Sequence, residues 1–197
     1  MNTTQLEETV KCLIKSHYKS YIVKVFPCDV ALLYVKNQLF TTKQIHCVVV
    51  NLDDSNNPGS HWIALLFDLL HKSVELFDSL GLHCVYPPKI ASIINLCNQR
   101  KFQLTTNKCV RFQSLTTNCC GHYCALFFYH RLILGQNFQD FCHLLLSQYP
   151  SFCYRDCIVY DTVYKLAKCV NSYIKDNPTE NCNCIQHCQS YIIANKH

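Results

Sequence analysis

The segment Gln113-Ser-Leu-Thr-Thr-Asn-Cys119-Cys120-Gly121 carries a thiol that upstream residues could make nucleophilic. His61-Trp62 heads one apolar run, and Asp78 closes the next. Cys, His and a carboxylate are the three groups that turn a weak thiol into an attacking sulfur. The imidazole takes the proton, and the carboxylate orients the ring and stabilises its charged form. Cys120-Gly121 followed by Tyr123-Cys124-Ala125-Leu126-Phe127-Phe128 reads as a buried helix with Cys120 in its first turn. The partial positive charge of a helix N-terminus favours the thiolate. Gln113 offers a side-chain amide to a developing oxyanion beside the Cys120 backbone N–H, and one such donor contributes about 3 kcal/mol in the transition state. Together these groups have the chemistry of a cysteine peptidase.

Cys120 is taken as the nucleophile over Cys119, since only one of two adjacent side chains can face a cleft. Gly121 after it would let a substrate approach the backbone. Each residue also has an ordinary use. Any one of sixteen cysteines is most often structural, and any one of ten histidines is most often not catalytic. Asp78-Ser-Leu-Gly81 alone is a good turn, and Gln113 alone a surface residue at a strand end.

The elements that must place these groups follow from periodicity. Ile45 to Leu52 reads as a buried strand, and Asp53 to Ser60 as a turn-rich loop. His61 to Leu69 and Ser73 to Phe77 read as a hairpin joined at His71-Lys72, which puts His61 and Asp78 at one end of a sheet. These strands are too continuously apolar for one wet face, so both faces should be covered. Thr4-Gln-Leu-Glu7 fits a capping box opening a helix with Leu6, Val10, Leu13 and Ile14 on one face. Further helices are expected from Pro87-Pro88, with Ile90, Ile93, Ile94 and Cys97 aligned, from Phe138 to Leu146, and from about Asp156 to Ile174. A strand is expected around Val110 and Phe112. The fold class is α+β, a single domain over residues 1–197 with a mixed central β-sheet flanked by helices; the tail 177–197 is expected to be loosely ordered.

Composition agrees with a folded chain. Nearly half of the 197 residues are apolar and 16% are charged, which argues against disorder. No apolar run has the length of a membrane span, and Met1 to Glu8 lacks the features of a signal peptide, so no membrane association is expected. Most of the sixteen cysteines are expected to be reduced thiols in an intracellular setting, several of them packed in apolar patterns. The formal charge of +5 permits a polyanion partner without requiring one. Lys11, Lys15 and Lys19 would line one helix side, as a solvated face or as a polyanion-binding stripe. Cys182, Cys184, His187 and Cys188 have soft donor atoms, but the Cys-x-Cys start is unlike common zinc fingers, and no metal is assigned.

The chain resembles the adenovirus-type cysteine proteases (adenain) and their relatives in large DNA viruses and virus-like transposons, which share a clan with SUMO-deconjugating proteases. The segments that carry the resemblance are Val48 to Asn51, Gly59-Ser-His61-Trp62, Glu75-Leu-Phe-Asp78-Ser-Leu-Gly81 and Gln113 through Cys120-Gly121 to Cys124, with seven residues from Gln113 to Cys120. By resemblance His61 is the general base, Asp78 its orienter, Gln113 the oxyanion donor and Cys120 the nucleophile. The implied substrates are viral capsid and core precursors cleaved during virion maturation, with the protein a monomer in the host nucleus and virion. No cofactor is required. Stimulation by DNA or by a disulfide-joined viral peptide is a family trait; Cys109 lies close to the attachment position but offset, and Lys11, Lys15, Lys19, Arg100, Lys101, Lys108 and Arg111 are candidate DNA contacts. Two other functions stay open: deconjugation of ubiquitin-like modifiers with the same triad, and non-enzymatic polyanion binding.

Overall fold

The alternation of buried side chains along the strands sets the architecture. The computed structural model describes residues 1–14, 21–42, 44–81, 86–148 and 151–170, with the side chains of 168–170 outside the description. Lys15, Lys19, Cys84, the Cys182 to Cys188 cluster and the tail from 177 lie outside these residues. Along the described chain run α1 (Thr3–Leu13), β1 (Tyr21–Pro27), α2 (Cys28–Asn37), a 3-10 turn (Leu39–Thr41), β2 (Ile45–Asn51), β3 (Trp62–Asp68), β4 (Ser73–Phe77), α3 (Pro88–Gln99), β5 (Gln103–Thr106), α4 (Cys120–Leu132), α5 (Phe138–Gln148) and α6 (Phe152–Val170).

The five strands form one sheet in the order β1-β2-β3-β4-β5. β1 and β2 are parallel, β2–β3 and β3–β4 antiparallel, and β4–β5 parallel, so the sheet is mixed. Cys47, Val49, Ala64, Leu66 and Phe77 join the core shared with α1, α4, α5 and α6. Val48, Val50, Ile63, Leu65, Phe67, Val74 and Leu76 join the core on the other face, with α2 and α3. Both faces are covered, as the apolar runs require. Among the described residues, no helix is long and apolar enough to cross a membrane.

Three expectations are corrected. The capping box of α1 uses Asn2 and Gln5, whose side chains each bond the other's backbone N–H, at 2.9 and 3.0 Å. Asn is as good an N-cap as Thr, and Gln fills the same reach-back role as Glu. The strand placed around Val110 and Phe112 is instead β5, at Gln103–Thr106. Beyond it the chain turns at Asn107, with Val110 N–H bonded to Asn107 O at 2.8 Å and Cys109 at a φ of 64°. Phe112 and Gln113 then spend their backbone N–H groups on Ser79 O rather than on a strand ladder, at 2.8 and 2.9 Å. α6 also starts earlier than expected, at Phe152.

Nine described cysteines, Cys119 and Cys120 among them, are reduced thiols. Cys109 and Cys157 are disulfide-bonded, exceptions to the reduced state expected for most.

Candidate active site

The β3–β4 hairpin and the start of α4 converge at one end of the sheet. Leu52 N–H bonds His61 O at 2.9 Å, closing the loop that carries the chain from β2 into β3. Asn51 Oδ1 accepts Asp53 N–H and Ser60 N–H, at 3.0 and 3.3 Å, and gathers both ends of that loop. Gly59 sits at a φ of 89°, where a Cβ would strike Asn51 Nδ2 at 2.5 Å, so only glycine fits the turn that delivers His61. At the end of β4, Phe77 stacks on Phe127 of α4, with ring centroids 5.2 Å apart, and meets Phe112 and Phe141 at 5.5 and 5.2 Å. This aromatic cluster ties the strand end bearing Asp78 to the helix that begins with Cys120.

The structure joins His61 and Asp78 directly. His61 Nε2 lies 2.6 Å from Asp78 Oδ1, and the two side chains are only 5% and 6% exposed. Asp78 Oδ1 also accepts Leu80 N–H at 2.9 Å. Its backbone is clamped by Asn107, whose Oδ1 accepts Asp78 N–H at 2.9 Å and whose Nδ2 donates to Asp78 O at 2.7 Å. Gly81, at a φ of 57°, completes the turn; a Cβ there would lie 2.4 Å from Val110 O. The second ring nitrogen of His61, Nδ1, is buried without a hydrogen-bond partner at contact distance. The Cys120 thiol also interacts with the ring, through a looser hydrogen bond and through charge.

Gln113 is enclosed, 1% exposed, and held at both ends of its amide. Ser79 Oγ donates to Gln113 Oε1 at 2.8 Å, and Gln113 Nε2 donates to Thr117 O at 2.7 Å. One Nε2 hydrogen is thus left over. The loop between Gln113 and Cys120 is pinned by Asp156 of α6, which accepts from Tyr123 OH, Thr117 Oγ1 and Ser114 N–H at 2.8, 2.7 and 3.1 Å. Arg155 Nη1 donates to Phe112 O at 2.8 Å.

Residues 37–145, more than half of the chain, match the adenovirus endoprotease family. The chain belongs to that family. No curated protein matches the chain. Among solved structures, an ASFV protease is similar at a TM-score of 0.57 and 14% identity, over 80% of this chain and 65% of its own. The chain thus spans just under two thirds of that protease's length. ChlaDub1 from Chlamydia trachomatis is similar at a TM-score of 0.60 and 10% identity, over 88% of this chain and 92% of its own. These likenesses show the shared fold.

The electrostatics of this endoprotease-family site have clear causes. Burial by itself disfavours charge on His61, but the Asp78 hydrogen bond, the Cys120 hydrogen bond and the negative charges of both raise its pKa to about 9. Burial likewise opposes the Cys120 thiolate; the hydrogen bond and charge of His61, with the backbone N–H groups of Trp62 and Gly121, outweigh it and lower the pKa below the usual thiol value. Cys124, fully buried one turn later, is pushed the other way by burial and then by the nearby Cys120 charge. Cys119 is enclosed in the core at 0% exposure, whereas Cys120 interacts with His61.

A Cβ at Gly121 would meet Leu6 and Met1 at ordinary contact distances of 3.4 and 3.5 Å, so this glycine lies beside the α1–α4 contact. Sequence reading missed Asn107, Ser79, Arg155 and Asp156. Their partners lie 29 to 43 residues away, beyond any local pattern, and an Asn in a turn or a Ser after an Asp is a common sight.

Of the candidate DNA contacts, Lys11 pairs with Glu7, Arg100 stacks over the Phe40 ring at 4.1 Å, and Arg111 over Phe152 at 4.3 Å. Lys101 and Lys108 are exposed. Among the described residues, no group of three or more His, Cys, Asp or Glu could hold a metal.

Proposed function

We propose that the chain is a cysteine endopeptidase that cleaves viral precursor polypeptides, with Cys120 as nucleophile, His61 as acid–base, Asp78 as its orienter and Gln113 as oxyanion donor. The observation that carries this reading is the buried His61–Asp78 contact at 2.6 Å, with the Cys120 thiol interacting with the same ring. A histidine charged by a carboxylate on one side and paired with a sulfur on the other is what an ionised thiol nucleophile requires.

The Cys120 thiolate attacks the scissile carbonyl carbon, forming a C–S bond while the C=O electrons move onto oxygen. The leftover Nε2 hydrogen of Gln113 and the Cys120 backbone N–H stabilise that oxyanion. Collapse breaks the C–N bond, and the His61 imidazolium gives its proton to the departing amine. Neutral His61 then takes a proton from water, whose hydroxyl attacks the thioester and releases the acid and the thiolate. Asp78, fixed by Leu80 N–H and by the Asn107 clamp on its backbone, keeps the ring in place through both steps.

Membership of the adenovirus endoprotease family supports virion precursors as the substrates. Purified chain incubated with capsid precursor should release fragments, and Cys120→Ala should not. Cleavage of a ubiquitin-like conjugate with no cleavage of any precursor would overturn the substrate assignment. An active Cys120→Ala would overturn the mechanism.

A further inference from the structure

Asp78 and Ser79 are neighbours in the turn that leaves β4, yet their side chains serve different parts of the site. Asp78 accepts from His61, while Ser79 Oγ donates to Gln113 Oε1 at 2.8 Å. Ser79 and Gln113 are each 1% exposed, so water does not substitute for that bond. The backbone adds to it, since Ser79 O accepts from both Phe112 N–H and Gln113 N–H, at 2.8 and 2.9 Å.

An oxyanion donor must present N–H and keep its own carbonyl away, because an amide turned over would place an acceptor against the forming charge. Thr117 O can only accept, which selects Nε2 at one end of the Gln113 amide. The Ser79 hydroxyl gives Oε1 its partner at the other end. Held at two points, the amide plane is fixed and the spare Nε2 hydrogen has one direction. Held at one, it can pivot about Thr117 O. Loss of about an ångström in such placement costs on the order of 100-fold in rate.

We propose that Ser79 is the positioning residue for Gln113, so that the single turn Asp78-Ser79 aims both the base and the oxyanion donor of the site. This rests on the peptidase reading above, in which Gln113 donates to the oxyanion. The two halves of the chemistry are then set by one backbone segment, itself locked by Asn107. A shift of that turn would misplace both together.

The test is a double-mutant cycle on precursor cleavage, with kcat and KM separated, full pH profiles and a melting curve for every variant. Ser79→Ala should lower kcat about 10- to 100-fold, somewhat less than removal of a donor outright. KM should stay within about twofold, since the lost interaction forms only in the transition state. The alkaline limb set by His61 should not move, because Asp78 still holds the ring. Ser79→Thr, which keeps the hydroxyl, should recover most of the rate. In a Gln113→Ala background, Ser79→Ala should cost less than about twofold, since there is no amide left to position. A loss of kcat in that background as large as in the wild type would overturn the proposal, because it would mark Ser79 as a general structural residue. An active wild type with a fully active Ser79→Ala would overturn it as well. If Ser79→Ala does not fold, Ser79→Cys, a poorer donor of similar shape, replaces it with the same two criteria. Absence of Cys120-dependent cleavage in the wild type would overturn the peptidase reading and this inference together.

Discussion

The two ends of the β3–β4 hairpin use the same residue types to opposite effect. At the far end, Asp68 accepts the backbone N–H groups of Leu70 and His71, both at 3.0 Å, and faces the His71 ring at 2.7 Å. Glu75 binds Arg131 of α4 through two bonds of 2.6 Å. A cavity of about 230 Å³ lies there, lined by Tyr21, Leu66, Glu75 and Arg131 among others. At the near end, His61 and Asp78 are more deeply enclosed, yet His61 Nδ1 has no contact-distance partner and Gln113 keeps one amide hydrogen. A cavity by itself is therefore a poor guide to the chemistry. Buried polar groups normally saturate one another, and an unmatched one asks for a reason. The far-end charges satisfy each other and fasten the hairpin to α4. The near end leaves its capacity for something that arrives.

That contrast can be broken in four ways. The largest effect belongs to the paired cysteines: Cys120→Ala should lower kcat by on the order of 10⁴-fold or more, whereas Cys119→Ala should keep activity within a few-fold, measured on a precursor substrate. The reverse result would move the nucleophile to Cys119. Next, Asp78→Asn should cut kcat by roughly 10³- to 10⁴-fold. It should also move the alkaline limb of the pH profile. In the proposed mechanism the active form carries a charged His61, so activity should fall as pH rises through its pKa of about 9. Removing the Asp78 charge lowers that pKa, and the limb must shift to lower pH; an unmoved limb would remove Asp78 from the site.

The third change lies behind the near end. Asp156→Ala leaves Ser114 N–H without its acceptor and Tyr123 OH and Thr117 Oγ1 with only longer bonds to backbone carbonyls, and should cost about 3 kcal/mol. At this chain length that is a fall in Tm of about 6–12 °C by calorimetry. The smallest effect is expected at the far end. Glu75→Gln should lower Tm by only a few degrees, about 1 kcal/mol, and leave kcat/KM within about twofold. A large kinetic loss there would mean that the two ends are not independent.

Much of the near end was legible in the sequence because strand pairing is a local matter. A hairpin brings the residue before its first strand and the residue after its second to one end of the sheet; with Ala64 set against Phe77, His61 and Asp78 lie a diagonal apart there. The apolar run after Cys120 marked α4 for the same reason of period. β1 and α2 escaped because Pro27 ends the strand and is also the N-cap of the helix, with no turn between them to mark the change. The strand expected near Val110 failed because that segment gives its backbone to the Asp78 turn, a demand set by tertiary contacts. The clamps by Asn107 and Ser79 are of the same kind: they join residues that no spacing rule relates.

The most direct test is the pH dependence of alkylation by an iodoacetamide-type reagent, followed residue by residue through peptide mapping, in the wild type and in His61→Ala. Cys120 should be the fastest described thiol, titrating below the usual thiol value, with its midpoint moving upward once the imidazole is gone. A Cys120 that titrates like an ordinary thiol in the wild type, or that ignores the loss of His61, would contradict the account.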